Sequence, residues 1–133
     1  RLQIEGRQLD VFVQVNTSNE ESKFGLPPGE VAAFVQAMPR FSNLRVRGLM
    51  TLALFSAAPE QVRACFVRLR QLREQLRQSA PAAVQLDELS MGMSGDFEIA
   101  IEEGATVVRV GQAIFGARSV PDSHYWPDAA GTR

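Results

Sequence analysis

Leu89-Ser90-Met91-Gly92-Met93-Ser94-Gly95-Asp96 is the stretch that decides the fold, read together with Arg109-Val110-Gly111-Gln112. Each places a glycine and a polar residue where an apolar strand pattern hands over to a helical one. At such a junction unpaired N–H groups and the positive end of the helix dipole point at one spot, which suits a phosphate. Two such turns on neighbouring strands make a two-sided anion cradle. Each turn taken singly also has a plainer reading: Ser94 as a helix cap among turn glycines, and Gly111-Gln112 as an ordinary strand-to-helix turn.

Working outward, the apolar pattern predicts an alternation of strands and helices. Val11 to Val15 is a β-branched and aromatic run that reads as a buried strand, followed by loop residues from Asn16 to Gly25. Pro27-Pro28 introduces a helix over about Gly29 to Met38, and Pro39 stops it. Leu44 to Met50 is the second strand, with Thr51 to Ala53 as its possible extension. The clearest helix runs from about Pro59 to Ser79, its apolar face carrying Val62, Cys65, Phe66, Leu69, Leu72 and Leu76. Its other face holds Arg63, Arg68, Arg70, Arg73 and Arg77 and reads as a solvated surface. Leu86 to Met91 is the third strand. A helix from about Gly95 to Glu103 follows, capped by Ser94 and stopped by Gly104. Thr106 to Val110 is the fourth strand, and Gln112 to Phe115 a short final helix.

This β-α-β-α-β-α-β-α order predicts a parallel sheet of right-handed βαβ units. Four units are half of a (β/α)₈ barrel, and a small open doubly wound sheet would show the same periodicity. In either architecture ligands sit at the carboxyl ends of the strands, where both glycine turns fall.

The bulk properties exclude several classes. A chain of 133 residues, 45% hydrophobic and 22% charged, supports one modest domain. A net charge of -1 gives no electrostatic footprint for nucleic acid or an anionic membrane. Cys65 is the only cysteine, no apolar run approaches the roughly 18 residues of a membrane span, and no signal-peptide pattern is present. The expected setting is cytoplasmic. The polar opening, Arg1 to Gln8, leads straight into a strand and reads as the middle of a longer protein.

Arg109 stands in an otherwise apolar strand, where an unpaired charge is costly to bury. It either points to a solvent-filled barrel mouth or meets a partner, the plainer candidates being Asp87, Glu88 and Asp96. A guanidinium beside a pyridine nitrogen would keep that nitrogen unprotonated. Lys23 is the only lysine and lies in the loop after the first strand.

Leu89 to Asp96 (LSMGMSGD), Glu102 to Thr106 and Val108 to Arg118 (VRVGQAIFGAR) closely resemble the pyridoxal phosphate homeostasis protein family. Val13 to Asn16, Glu20 to Gly25 and Val46 to Met50 match its pattern as well. That family is similar to the barrel domain of alanine racemases, a single (β/α)₈ barrel that binds pyridoxal 5′-phosphate (PLP). The resemblance therefore implies the carboxyl-terminal half of a (β/α)₈ barrel over residues 1–118, with an irregular tail at 119–133. It implies that Ser94, Gly111 and Gln112, with backbone from Met91, Gly92 and Met93, hold the phosphate, and that Arg109 faces the pyridine nitrogen. The family's Schiff-base lysine belongs to the amino-terminal half and has no counterpart here; Lys23 reads as a surface loop residue near Glu20. The implied role is PLP binding in vitamin B6 and amino-acid homeostasis without catalytic turnover. The alternatives are a fragment of an alanine-racemase-like PLP enzyme and a PLP-independent phosphate-binding half-barrel. Half a barrel leaves edge strands unpaired, so a second copy or the amino-terminal half is the expected partner.

Overall fold

In a computed structural model that describes residues 1–20, 24–117 and 119, the β-branched runs pair into one sheet. Its strands are β1 (Leu9–Gln14), β2 (Leu44–Met50), β3 (Glu88–Met93) and β4 (Val107–Arg109), all parallel and in the order β1-β2-β3-β4. The helices are α1 (Leu2–Glu5), α2 (Val31–Ala37), α3 (Pro59–Arg77), α4 (Phe97–Glu102) and α5 (Gln112–Phe115).

Sequential strand order combined with crossovers of one hand sends every connecting helix to the same face of the sheet. Burial follows from that. Val13, Val46, Leu49, Leu89 and Met91 face α2, α3 and α4 and form one core with Val31, Val35, Phe66, Leu69 and Ala100. Residues that alternate with them, among them Phe12, Gln14 and Met50, are only half-buried on the opposite face. An open doubly wound sheet would have helices on both faces. This singly wound sheet has the topology of half a (β/α)₈ barrel.

Several boundaries differ from the sequence reading. Arg1 to Gln8 does not run straight into a strand, because α1 intervenes; four residues are too few to show a helical period. The helix read from Gly29 opens with a 3₁₀ turn, Pro28–Glu30. Pro39 does not end helical structure outright, since Met38–Arg40 tighten into a second 3₁₀ turn. Thr51 to Ala53 lie beyond β2 rather than extending it. The third strand lies two residues later than read. Leu86 is buried in the core, but the ladder with β2 begins only at Gly48 and Glu88. Gly104 does follow α4 at φ 92; its N–H bonds the carbonyl of Ile101 while the N–H of Ala105 bonds that of Ala100, the paired closure of a Schellman motif.

The arginine face of α3 is not simply solvated. Arg63 donates to Glu102 at 2.6 Å and to Glu103 at 2.8 Å, and Arg70 donates to Glu103 at 2.9 Å. The hydrogen bonds to Glu103 and Glu102 push the Arg63 pKa upward. Arg77 pairs with Asp87, and Arg73 donates to the Asp87 carbonyl. These contacts clamp α3 to the end of α4 and to the approach to β3. No helix among the described residues is long and apolar enough to cross a membrane.

Candidate functional site

The turn Ser94-Gly95-Asp96 closes β3 through its last residue. Asp96 Oδ1 accepts the Met93 N–H at 2.6 Å, and the Asp96 N–H donates to the Met93 carbonyl at 3.1 Å. Asp96 therefore occupies the position before α4, and its carboxylate serves the turn. The expectation that Ser94 caps this helix is corrected. Ser94 is held clear of α4, and its Oγ accepts the N–H of Ala113, in the first turn of α5, at 3.1 Å. The two glycine turns thus converge, as an anion cradle requires. The N–H of Gln112, first residue of α5, has no intrahelical acceptor and remains at the same spot.

The residues of the two motifs divide their work. Met91 is fully buried in the core, so only its backbone can face a ligand, whereas Met93 is largely exposed. Gly92 has φ 98, and a Cβ there would stand 2.7 Å from the Ala100 Cβ and 3.0 Å from the Phe97 Cα. Its missing side chain lets α4 lie against β3. At Gly95 and Gly111 a Cβ would meet nothing within 4 Å, so these positions offer open backbone.

Arg109 ends β4 in register with Met93, and its side chain reaches past β3 to the end of β2. There its Nη2 donates to the Thr51 carbonyl at 3.0 Å. Its Nε is buried without a hydrogen-bond partner among the described residues. Desolvation lowers its pKa, with the nearby charge of Asp96 acting in the opposite direction. The ion-pair alternative fails among the described residues: Asp87 meets Arg77, Glu88 meets Arg47, and no carboxylate lies within ion-pair distance of Arg109. A half-buried guanidinium with an unspent N–H is a donor waiting for an acceptor.

Two residues that the sequence did not single out support this arrangement. Thr17 and Thr51 are fully buried just beyond β1 and β2, and their hydroxyls meet at 2.8 Å. A threonine within three residues of the end of each of the first two strands is the signal the sequence offers. Lys23 and the tail from 120 onward lie outside the described residues, as does Arg118. A hollow of about 190 Å³ lined by Met38, Phe41, Leu44 and Val84 lies by the amino end of β2, apart from these groups. Among the described residues no group of three or more His, Cys, Asp or Glu side chains is placed to hold a metal.

A singly wound parallel sheet with convergent polar turns at its carboxyl ends has the form of a segment of a (β/α)₈-type barrel. The chain belongs to the family described as alanine racemase, N-terminal domain, whose sequence profile matches residues 1–119. It is 45% identical over 109 residues to the pyridoxal phosphate homeostasis protein of Aquifex aeolicus, a match covering 82% of this chain and 47% of that protein. PipY of Synechococcus elongatus, solved without PLP, superposes with a TM-score of 0.79 at 34% identity, over 86% of this chain and 53% of PipY. The same protein with PLP bound gives a TM-score of 0.76 at 33% identity, over 86% of this chain and 52% of PipY. The chain spans about half the length of the curated relatives it matches.

Proposed function

We propose that this chain is the phosphate-binding portion of a PLP-binding protein that serves PLP and amino-acid homeostasis without catalytic turnover. The observation that carries the reading is the Nε of Arg109, buried without a hydrogen-bond partner among the described residues and set on the strand next to the Ser94–Ala113 junction. One ligand satisfies both features if it carries a phosphate and, at a distance, a ring acceptor. PLP has both. When bound, it supplies an aldehyde and an electron-withdrawing pyridine ring.

The chain's residues then have separate tasks. The Ser94 hydroxyl and the N–H groups of Gly111 and Gln112 bind the phosphate, with backbone from Met91, Gly92 and Met93 shaping the turn. Arg109 donates its Nε–H to the ring nitrogen. A guanidinium does not surrender that proton near neutrality, so the nitrogen stays unprotonated and the ring withdraws electrons only weakly. The non-catalytic role follows the relatives' names as homeostasis proteins. On this reading residues 1–118 form the binding domain, its setting is cytoplasmic, and a second copy or the amino-terminal half of the barrel covers the open sheet face.

Titration of the chain with PLP and with inorganic phosphate tests the proposal. PLP should bind and raise the melting temperature, phosphate should bind more weakly, and added alanine should not be racemised. Racemisation would favour an enzyme fragment. Absence of any response to both ligands would leave a half-barrel with a structural role.

A further inference from the structure

Thr17 and Thr51 occupy fully buried positions that valine would fill with the same volume, yet both carry a hydroxyl. A buried hydroxyl is costly unless it is hydrogen-bonded, so its pattern of partners shows what it holds in place. Thr51 Oγ1 donates to the Val15 carbonyl at 2.8 Å. A hydroxyl has a single proton, so with that proton spent on Val15 the 2.8 Å contact between the two threonines has Thr17 as donor. Arg68, on α3, donates to the Thr17 main-chain carbonyl. The Thr51 main-chain carbonyl in turn accepts Arg109 Nη2 at 3.0 Å. These four residues form a continuous chain from the outer helix layer, through the ends of β1 and β2, to the guanidinium on β4.

The geometry assigns Thr17 and Thr51, backed by Arg68, as positioning residues for Arg109. They fix the direction of the Thr51 carbonyl, which sets the plane of the guanidinium and aims its Nε–H, without a partner among the described residues, at a ligand acceptor. Without the hydroxyl pair, the Thr51 side chain loses its tie to the Val15 carbonyl, while the backbone bond from the Val15 N–H to the Met50 carbonyl remains, and the acceptor that keeps Arg109 half-buried becomes less rigid. This inference rests on the proposed role of Arg109 toward a ring nitrogen, but the positioning itself is measurable without any ligand.

The test compares the wild-type chain with Thr17→Val, Thr51→Val, Thr51→Ser and Arg68→Met, using the ¹H–¹⁵N signal of Arg109 Nε in the ligand-free protein. In the wild type that proton should be displaced from the exposed-arginine position and exchange slowly. In Thr17→Val and Thr51→Val it should move toward the exposed position and exchange about tenfold faster, while Thr51→Ser retains the wild-type signal. Arg68→Met leaves the core intact and should shift the signal in the same direction, so the chain remains testable if the valine variants do not fold. PLP affinity should fall about tenfold in Thr17→Val with inorganic phosphate affinity nearly unchanged. An unmoved Arg109 signal in every folded variant overturns the positioning role. A wild-type chain that fails to bind PLP overturns the proposed function instead, and the ligand-free signal still decides the positioning.

Discussion

Ser94 and Ala113 are joined across 19 residues of sequence by a 3.1 Å hydrogen bond from the Ala113 N–H to the Ser94 hydroxyl. This bond ties the turn after β3 to the first turn of α5 and so brings together the two halves of the proposed anion cradle. Ser94 already uses its oxygen as an acceptor there, which leaves its hydroxyl proton to donate to a phosphate oxygen.

Replacing Ser94 by alanine should therefore weaken phosphate and PLP binding together, by about tenfold each, the worth of one hydrogen bond to a charged group. Calorimetric titration reads both affinities. The junction is exposed, so the melting temperature should change little. A loss confined to PLP would contradict a phosphate role.

Arg109→Gln should separate the two ligands. PLP affinity should fall by at least tenfold, while inorganic phosphate affinity stays within about twofold. The substitution also removes a desolvated charge whose Nε has no partner among the described residues. Stability should hold or rise, in contrast to the usual loss on mutating a half-buried residue. Equal losses for the two ligands would refute the ring-nitrogen assignment, and a clear drop in melting temperature would refute the account of its burial.

Gly92→Ala should destabilise the chain by about 2–4 kcal/mol, because the new methyl group meets Ala100 and α4 backbone while the residue is held at φ 98. Urea unfolding followed by circular dichroism gives the value. Gly95→Ala adds a methyl group to open space at ordinary φ and should leave stability nearly unchanged.

Glu103→Gln tests the clamp between α3 and α4. Its carboxylate, 13% exposed, accepts from both Arg63 and Arg70. Losing its charge leaves the two guanidinium groups facing a neutral amide, and the melting temperature should fall by a few degrees in low salt. The difference between variant and wild type should shrink as salt is added, since partly exposed charges are screened. A drop of the same size in 1 M salt would point to packing rather than charge.

Local signals made much of the fold legible. The sequence pattern puts β2 at Leu44 to Met50 and α5 at Gln112 to Phe115, where the structure places them. Pro59 marked the start of α3 because proline favours a first helical turn. β3 was read two residues early because Leu86 is as apolar and as buried as a strand residue. Apolarity reports burial, while strand limits are set by ladder partners on β2. The site was legible as two glycine turns and one misplaced arginine. Its threonine support is not, since Thr17 reads as a loop residue and Thr51 as the extension of a strand until their hydroxyls are seen to meet.

The sequence by itself determined the parallel β-α alternation, the family, and the positions of the two turns and Arg109. Those features depend on periodicity and on residue types over short spans. Only the tertiary structure decided that Ser94 serves α5 rather than α4, that the α3 arginines grip α4, and that Arg109 anchors on Thr51 with its Nε unpartnered among the described residues. Those contacts join residues 19 to 58 positions apart. Their geometry is fixed by how neighbouring strands end relative to one another, which no local pattern encodes.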